Sequence, residues 1–230
     1  MPRGHPVLLP INELWASHDE TRWRKALDRY WEVPSVKRNL ELYEFMQTLD
    51  SEWVRNLDSR HWYDFLRDKY YPWKFTAKNR LASNVKRLKR YEDQGKLEYL
   101  NSIKKRLFAF NVAQIGTGLD IATEIDGLGP AGASGLLAVL FPQKFGCADQ
   151  FVVKSLCEVA SLPERAQVLA IKQRWKPGLE VITAKESILL VGIMRRKAND
   201  LNVLFGPDKW NPRKIDMILF ASRSGSRCGE

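Results

Sequence analysis

The sequence has few cysteines, few histidines and no long apolar run, and each shortage removes a class of function. The three cysteines, at positions 147, 157 and 228, form no Cys-x-x-Cys pair and are too few for a four-cysteine zinc or iron–sulfur site, so no metal site is expected. Such sparse cysteine usage favours a reduced, cytoplasmic setting. The longest apolar runs, GLLAVLF and SILLVGIM, fall far short of the roughly 18 residues of a membrane span.

Strict alternation of apolar and polar residues, which marks half-buried strands, is also scarce, whereas helical spacing is frequent. Thr183 and Glu186 form a capping-box pair, and Asn211 precedes a proline at a first helical position. The pattern predicts an all-α protein of about ten helices, covering residues 12–31, 35–46, 59–66, 76–91, 96–110, 116–125 and 131–141 and segments that begin near 150, 184 and 212.

Charge is distributed unevenly along a chain of 230 residues, which we treat as one domain and expect to be monomeric. Residues 1–110 form a basic helical part with 22 Lys and Arg against 15 Asp and Glu. Residues 111–160 are acidic, with 2 Lys and Arg against 5 Asp and Glu, and residues 161–230 are basic again, with 13 Lys and Arg against 7 Asp and Glu. The formal net charge of +10 favours a polyanionic partner, nucleic acid before an acidic membrane surface.

The strongest basic segment lies between residues 69 and 90, where eight basic residues occur without an acidic one. Lys74, Lys78, Arg80 and Lys86 are the candidate contacts to a nucleic-acid backbone, although a solvated helix face has the same pattern. Its start, YYPWKF, places aromatic residues beside these cations. These residues are candidates for the wall or wedge of a base pocket, and the alternative is that they form a buried joint between helices. They are Tyr70, Tyr71, Trp73 and Phe75.

A glycine turn, IDGLGPAGA at residues 125–133, interrupts the acidic segment. Gly127 and Gly129 permit positive φ and a close approach of the backbone, and Pro130 suits a first helical position. Amides of the turn and of the next helix then point outward and can hold a phosphate without side-chain charge. The candidate DNA contacts of this turn are Gly127, Leu128, Gly129, Pro130, Ala131 and Gly132.

The turn and the later segment FGCADQFVVK, residues 145–154, together resemble the helix-hairpin-helix DNA glycosylase superfamily, which includes endonuclease III and the adenine, alkylpurine and oxoguanine glycosylases. The match comprises the two glycines, the apolar residue between them, the final alanine, and Asp149, which follows Ala131 by 18 residues, about the family's separation. The resemblance covers about residues 115–157.

This resemblance implies a two-lobed helical fold with a central cleft and double-stranded DNA with a modified or damaged base as partner. It also implies Asp149 as the catalytic carboxylate and no cofactor, apart from a monovalent cation that the hairpin could hold. Ala131 occupies the position where bifunctional members carry a lysine, so a monofunctional glycosylase is expected. Asp126 and Gly132 replace the usual proline and threonine.

Several alternatives stay open. The chain could be a non-enzymatic DNA-binding module in which Asp149 only caps a helix, or a bifunctional enzyme with a displaced lysine such as Lys144 or Lys154. Lys209 and Arg213 could contact a phosphate. Altered purines and the modified cytosines of phage genomes are candidate substrates, so the role would be DNA repair or antiphage defence.

Overall fold

Helices form the regular structure of residues 9–222, the part of the chain that the computed structural model describes. Apart from an isolated bridge between Lys176 and Leu179, no strand occurs within these residues, so the all-α prediction is confirmed. Cys228 lies outside them. The helices are α1 (Ile11–Trp15), α2 (Glu20–Asp28), α3 (Pro34–Lys37), α4 (Leu40–Gln47), α5 (Ser51–Arg55), α6 (Ser59–Phe65), α7 (Tyr71–Lys74), α8 (Lys78–Asp93), α9 (Leu97–Ala109), α10 (Ile115–Thr123), α11 (Pro130–Leu140), α12 (Gln150–Leu156), α13 (Arg165–Gln173), α14 (Ala184–Phe205) and α15 (Pro212–Ser222).

Capping side chains explain where several of these helices begin. The predicted helix 12–31 is divided because Asp19 caps α2, accepting a hydrogen bond from Thr21 N at 2.9 Å, and a 3₁₀ turn follows that helix. The predicted capping box of α14 is present, with both reciprocal bonds between Thr183 and Glu186. Asn211 Oδ1 accepts from Lys214 N at 2.9 Å at the start of α15, as its position before a proline predicts.

Residues 59–74 form one helical run with a π turn, Leu66–Tyr70, between α6 and α7. Pro72 follows this turn and has no N–H to donate to the carbonyl of Asp68, which removes one α-helical bond. Such a turn changes the direction in which the following side chains point. The sequence pattern ended this helix at residue 66 and did not predict the π turn.

One hydrophobic core connects the two ends of the described chain, with buried residues from Ile11 to Ala221. Helix α2 contacts α15, and α10 contacts both α11 and α14. The Trp23 ring lies between Trp15 and Trp210, with ring centroids 6.2 and 6.0 Å away. The Lys197 ammonium lies 5.0 Å from the Trp23 ring centroid. The early helices are therefore held against the last one.

Among residues 9–222, none of the helices combines the length and the apolar character that crossing a bilayer requires.

Candidate functional site: an aromatic pocket beside a glycine hairpin

Asp149 caps α12 with one carboxylate oxygen and leaves the other facing a pocket. Its Oδ1 accepts hydrogen bonds from Phe151 N at 2.9 Å and Val152 N at 3.4 Å. Its Oδ2 lies 3.2 Å from Lys74 Nζ and 3.5 Å from Cys147 Sγ. The helix-cap interpretation is thus correct for one oxygen, and the second is paired with Lys74 at the pocket.

Lys74 does not belong to the outer basic surface, contrary to the sequence interpretation. Its side chain is 9% exposed, and its Nζ contacts Cys147 Sγ at 2.7 Å as well as Asp149. Burial alone would lower the pKa of Lys74, but its neighbours Cys147 and Asp149 raise it above the ordinary value. Burial also raises the pKa of the Cys147 thiol to about 12. The Lys74 ammonium thus has two partners, the Cys147 sulfur and the Asp149 carboxylate.

Five aromatic rings line this Asp149 pocket, whose cavity volume is about 110 Å³. Polar groups occupy the rest of its wall, among them Lys74, Asp149 and Arg213. An apolar, ring-lined cavity with a few converging polar groups is typical of a site for a small planar ligand. The rings belong to Tyr30, Tyr43, Trp73, Phe151 and Phe220.

The aromatic cluster of residues 70–75 is divided between the pocket and the hairpin. Of its four aromatic residues, Trp73 alone is among the residues that line the pocket. Tyr70 and Tyr71 are buried. The Tyr70 hydroxyl donates to the carbonyl of Gly132, and the Tyr71 hydroxyl donates to the carbonyl of Asp126 at 2.5 Å. Phe75 packs against the Tyr71 ring, with centroids 5.4 Å apart. Three of the four residues therefore form a joint that holds the hairpin, and the wedge or wall interpretation applies to Trp73 only.

The hairpin between α10 and α11 contains one glycine with a positive φ, Gly127, and one glycine whose Cβ position is unobstructed, Gly129. Gly127 has φ +91°, and a Cβ there would lie 3.1 Å from the carbonyl oxygen of Asn84 on α8. Gly129 has φ −80°, so it does not use the positive φ that the sequence permitted. A Cβ on Gly129 would meet nothing within 4 Å. The space in front of Gly129 is open to a ligand.

The predicted hairpin contacts differ in what they present outward. Among the hydrogen bonds of residues 9–222, none uses the amides of Gly129, Ala131 or Gly132, as is usual in the first turn of a helix. Leu128, named as a candidate DNA contact, has a buried side chain, and its amide already donates to Ile125 O at 2.9 Å. Pro130 starts α11 as predicted. The hairpin can therefore offer backbone N–H groups, not side chains.

Ser134 connects the hairpin helix to the segment that carries Asp149. Its Oγ accepts from Ala148 N at 2.9 Å and lies 3.2 Å from Ala148 O, directly before the aspartate. Asp216 Oδ2 accepts from Cys147 N at 2.6 Å. Arg195 donates to the carbonyl of Lys144 and, at 2.7 Å, to that of Val112. Sequence reasoning missed these three supports because no local pattern marks a residue that acts across more than ten positions.

Arg213 lies inside the protein and not at a surface phosphate site, contrary to the sequence interpretation. Its guanidinium donates to Asp216 Oδ1 at 2.5 Å and to the Tyr30 hydroxyl at 3.1 Å. Burial raises the pKa of Asp216 to about 6, while the charge of Arg213 opposes the rise. Lys209, the other candidate, pairs with Glu20 at 3.3 Å.

Helix α8 retains the rest of the predicted basic surface. Lys78, Arg80 and Lys86 are exposed, and no carboxylate of residues 9–222 lies within ion-pair distance of them. The hairpin contacts this helix at Asn84, so the open glycine and these cations belong to neighbouring surfaces. Lys144 and Lys154, the candidate displaced lysines, are not among the residues that line the pocket.

No group of three or more His, Cys, Asp and Glu side chains in the described part of the chain is placed to hold a metal ion. No protein-family model, curated protein or solved structure matches the chain. Function is therefore inferred from the geometry of the pocket, the hairpin and helix α8.

Proposed function

We propose that this protein is a monofunctional DNA glycosylase that hydrolyses the N-glycosidic bond of a damaged or modified base, in DNA repair or antiphage defence in the cytoplasm. The observation that carries the proposal is the position of Asp149 Oδ2, which the helix cap leaves unused, at a pocket lined by five aromatic rings. A base that leaves the DNA stack is commonly held between such rings.

The carboxylate supplies charge where the reaction develops it. As the bond between C1′ and the base lengthens, the sugar gains oxocarbenium character, and a nearby negative oxygen stabilises that charge. The same oxygen can orient the water that attacks C1′. Bonds from Phe151 N and Val152 N to Oδ1 fix the carboxylate before substrate arrives, so reorganisation costs little.

The leaving base takes the bonding electrons onto its glycosidic nitrogen, and Lys74 offers a positive charge for them. Its ammonium is 3.2 Å from Asp149 Oδ2, close enough for one bound nucleotide to contact both groups. The raised pKa of Lys74 keeps this charge in place at pH 7. A paired anion and cation suit a transition state in which sugar and base separate with opposite charges.

Binding of the DNA backbone is assigned to the hairpin and helix α8. The amides of Gly129 and Ala131, at the positive end of the α11 dipole, have no hydrogen-bond partner within residues 9–222, and the Cβ position of Gly129 is unobstructed, so they suit a phosphate oxygen. Lys78, Arg80 and Lys86 add unpaired positive charge on the adjoining helix. Affinity of this kind depends little on sequence and strongly on salt.

The test is base release from a panel of duplexes that carry altered purines, altered pyrimidines or phage-type modified cytosines, with abasic sites revealed as strand breaks by alkali. Asp149→Asn keeps a good N-cap residue but removes the charge. We expect it to slow base release by roughly 100-fold or more without loss of DNA affinity.

Asp50→Asn is the matched control, since Asp50 caps α5 in the same way, accepting from Glu52 N at 2.9 Å, and is not among the residues of the pocket wall. Equal rates for Asp149→Asn and Asp50→Asn would reject the chemical role of Asp149. Binding of every duplex with release from none would identify a non-enzymatic DNA-binding module instead.

The position of Lys74 favours a second candidate, a glycosylase with lyase activity. Ala131 has replaced the hairpin lysine, but the Lys74 amine faces Asp149 in the same pocket. In its neutral form the amine would attack C1′, displace the base with its electron pair, and yield an imine after loss of protons and opening of the sugar ring. The raised pKa of Lys74 opposes this reaction at neutral pH.

Borohydride trapping distinguishes the two candidates. Below the pKa of Lys74, each pH unit raises the neutral fraction of the amine about tenfold, so trapped adduct should increase from pH 7 to 9 if the lyase exists. Lys74→Gln should abolish the adduct, whereas Lys154→Gln should keep it. Base release at pH 9 without any adduct would exclude the lyase and support the monofunctional glycosylase.

A further inference from the structure

The wall of the Asp149 pocket is rich in hydrogen-bond donors. Arg213 is 4% exposed and lines the pocket, and its guanidinium lies 5.2 Å from the Trp73 ring centroid. A guanidinium has five N–H groups. Its hydrogen bonds within residues 9–222 go to Asp216 and Tyr30 and account for two of these groups. Arg213 therefore retains N–H groups that have no hydrogen-bond partner within residues 9–222.

Two further polar atoms of the same wall have no partner in the described part of the chain. They are Trp73 Nε1 and Ser35 Oγ, both buried and both on residues that line the pocket. An indole N–H can only donate, and a buried donor without an acceptor is unfavourable. Trp73 Nε1 therefore adds a donor to those of Arg213, whereas the Ser35 hydroxyl can donate or accept.

The acceptors of the pocket are largely occupied by the protein itself. Asp216 binds Arg213 through Oδ1 and Cys147 N through Oδ2, and Asp149 uses Oδ1 for the helix cap and Oδ2 for Lys74. An incoming group thus meets more free donors than free acceptors. A carbonyl oxygen, with two lone pairs and no hydrogen, satisfies such a wall, whereas an exocyclic amino group presents hydrogens to it.

We infer that the pocket selects bases that carry a ring carbonyl, and that Arg213 and Trp73 recognise the carbonyl oxygen. This inference rests on the proposed function and adds the substrate class. Guanine-type purines, hypoxanthine and all pyrimidines, including modified cytosines, have such an oxygen. Adenine and its alkylated derivatives have none and accept hydrogen bonds only at ring nitrogens. At C6 they present amino hydrogens to donors that a carbonyl oxygen would satisfy, which is a strong basis for rejection.

Hypoxanthine and adenine form the sharpest pair of probes, because they differ by a carbonyl or an amino group at C6. Calorimetry with the free bases measures recognition without catalysis, and the excision rates of both bases from matched duplexes measure it during the reaction. We expect hypoxanthine to bind at least tenfold more tightly than adenine, and carbonyl-bearing bases to be the ones that are released.

Two variants assign the preference to residues. Trp73→Phe removes one N–H and keeps an aromatic ring, and Arg213→Lys keeps the charge beside Asp216 but removes the planar fork. Each should reduce the preference for hypoxanthine several-fold. Trp210→Phe is the matched control, since Trp210 also has a buried, unpartnered Nε1 but is not among the residues that line the pocket.

The outcomes separate this inference from the proposed function. Equal affinity for the two purines, release of adenine-type bases as fast as carbonyl bases, or no binding of any free base would overturn the inference. An unchanged preference in both Trp73→Phe and Arg213→Lys would do the same. Selective binding of carbonyl bases without release from any duplex would instead reject the proposed hydrolysis and keep the pocket assignment.

Discussion

Asp149 shows how one side chain can cap a helix and still be placed for the chemical role that we propose. A helix cap needs one acceptor oxygen, and a carboxylate has two, so Oδ1 can bind Phe151 N while Oδ2 faces Lys74. The cap also removes rotational freedom from the side chain, which benefits electrostatic stabilisation of a transition state. An aspartate at a helix start in a pocket is therefore compatible with both interpretations that its sequence position allows.

Gly129 offers a residue-level test of the phosphate site. Because a Cβ there meets no protein atom within 4 Å and φ is −80°, Gly129→Ala should change the melting temperature very little. A methyl group in front of the amides should nevertheless obstruct a phosphate, so DNA affinity should fall about tenfold or more, a loss of about 1.4 kcal/mol. Thermal melting and a fluorescence binding assay measure the two effects.

Gly127→Ala is the comparison for that substitution. Its φ of +91° and the 3.1 Å approach to Asn84 O make an alanine unfavourable, so this variant should lose stability. If Gly129→Ala binds DNA as well as the unaltered protein, no phosphate approaches this glycine.

At the level of elements, the π turn before α7 and the glycines of α11 determine where Lys74 points. A Cβ on Gly135 would lie 2.8 Å from the Tyr70 hydroxyl and 3.1 Å from Lys74 Cδ, so the lysine stem passes directly over this helix. The stem is thereby directed toward Asp149 and away from the α8 surface. Helix α11 thus contacts the Lys74 stem through Gly135 and the segment directly before Asp149 through Ser134.

Helix α8 carries the expected salt dependence of DNA binding. Substitutions Arg80→Gln and Lys86→Gln should each reduce the slope of log affinity against log salt by about 1, with equal effects on modified and unmodified duplexes. Titrations at several salt concentrations measure the slope.

Arg106→Gln is the control for this measurement. Its guanidinium is already paired with Glu124, at 2.7 and 2.6 Å, so its loss should leave the slope nearly unchanged. If the salt-dependence slopes of Arg80→Gln and Lys86→Gln equal that of Arg106→Gln, α8 does not belong to the DNA-binding surface.

For the whole molecule, the site depends on contacts between distant parts of the chain. Tyr30, Trp73, Asp149 and Arg213 come from four separate stretches, and the packing of the 3₁₀ turn after α2 against α15 brings the first and last together. The aromatic contacts of Trp23 with Trp15 and Trp210 stabilise that arrangement. A pocket assembled in this way cannot be recognised in any single segment.

The sequence by itself determined the helical class, several helix starts and the glycine turn, because these follow from local spacing, capping and backbone preference. It also identified Asp149, whose cap is a local feature. Lys74 and Arg213 were assigned to a phosphate-binding surface, since a charge in a sequence has no visible partner. Only the tertiary structure decided that the Lys74 and Arg213 side chains are buried against carboxylates, because burial depends on contacts between residues up to 183 positions apart.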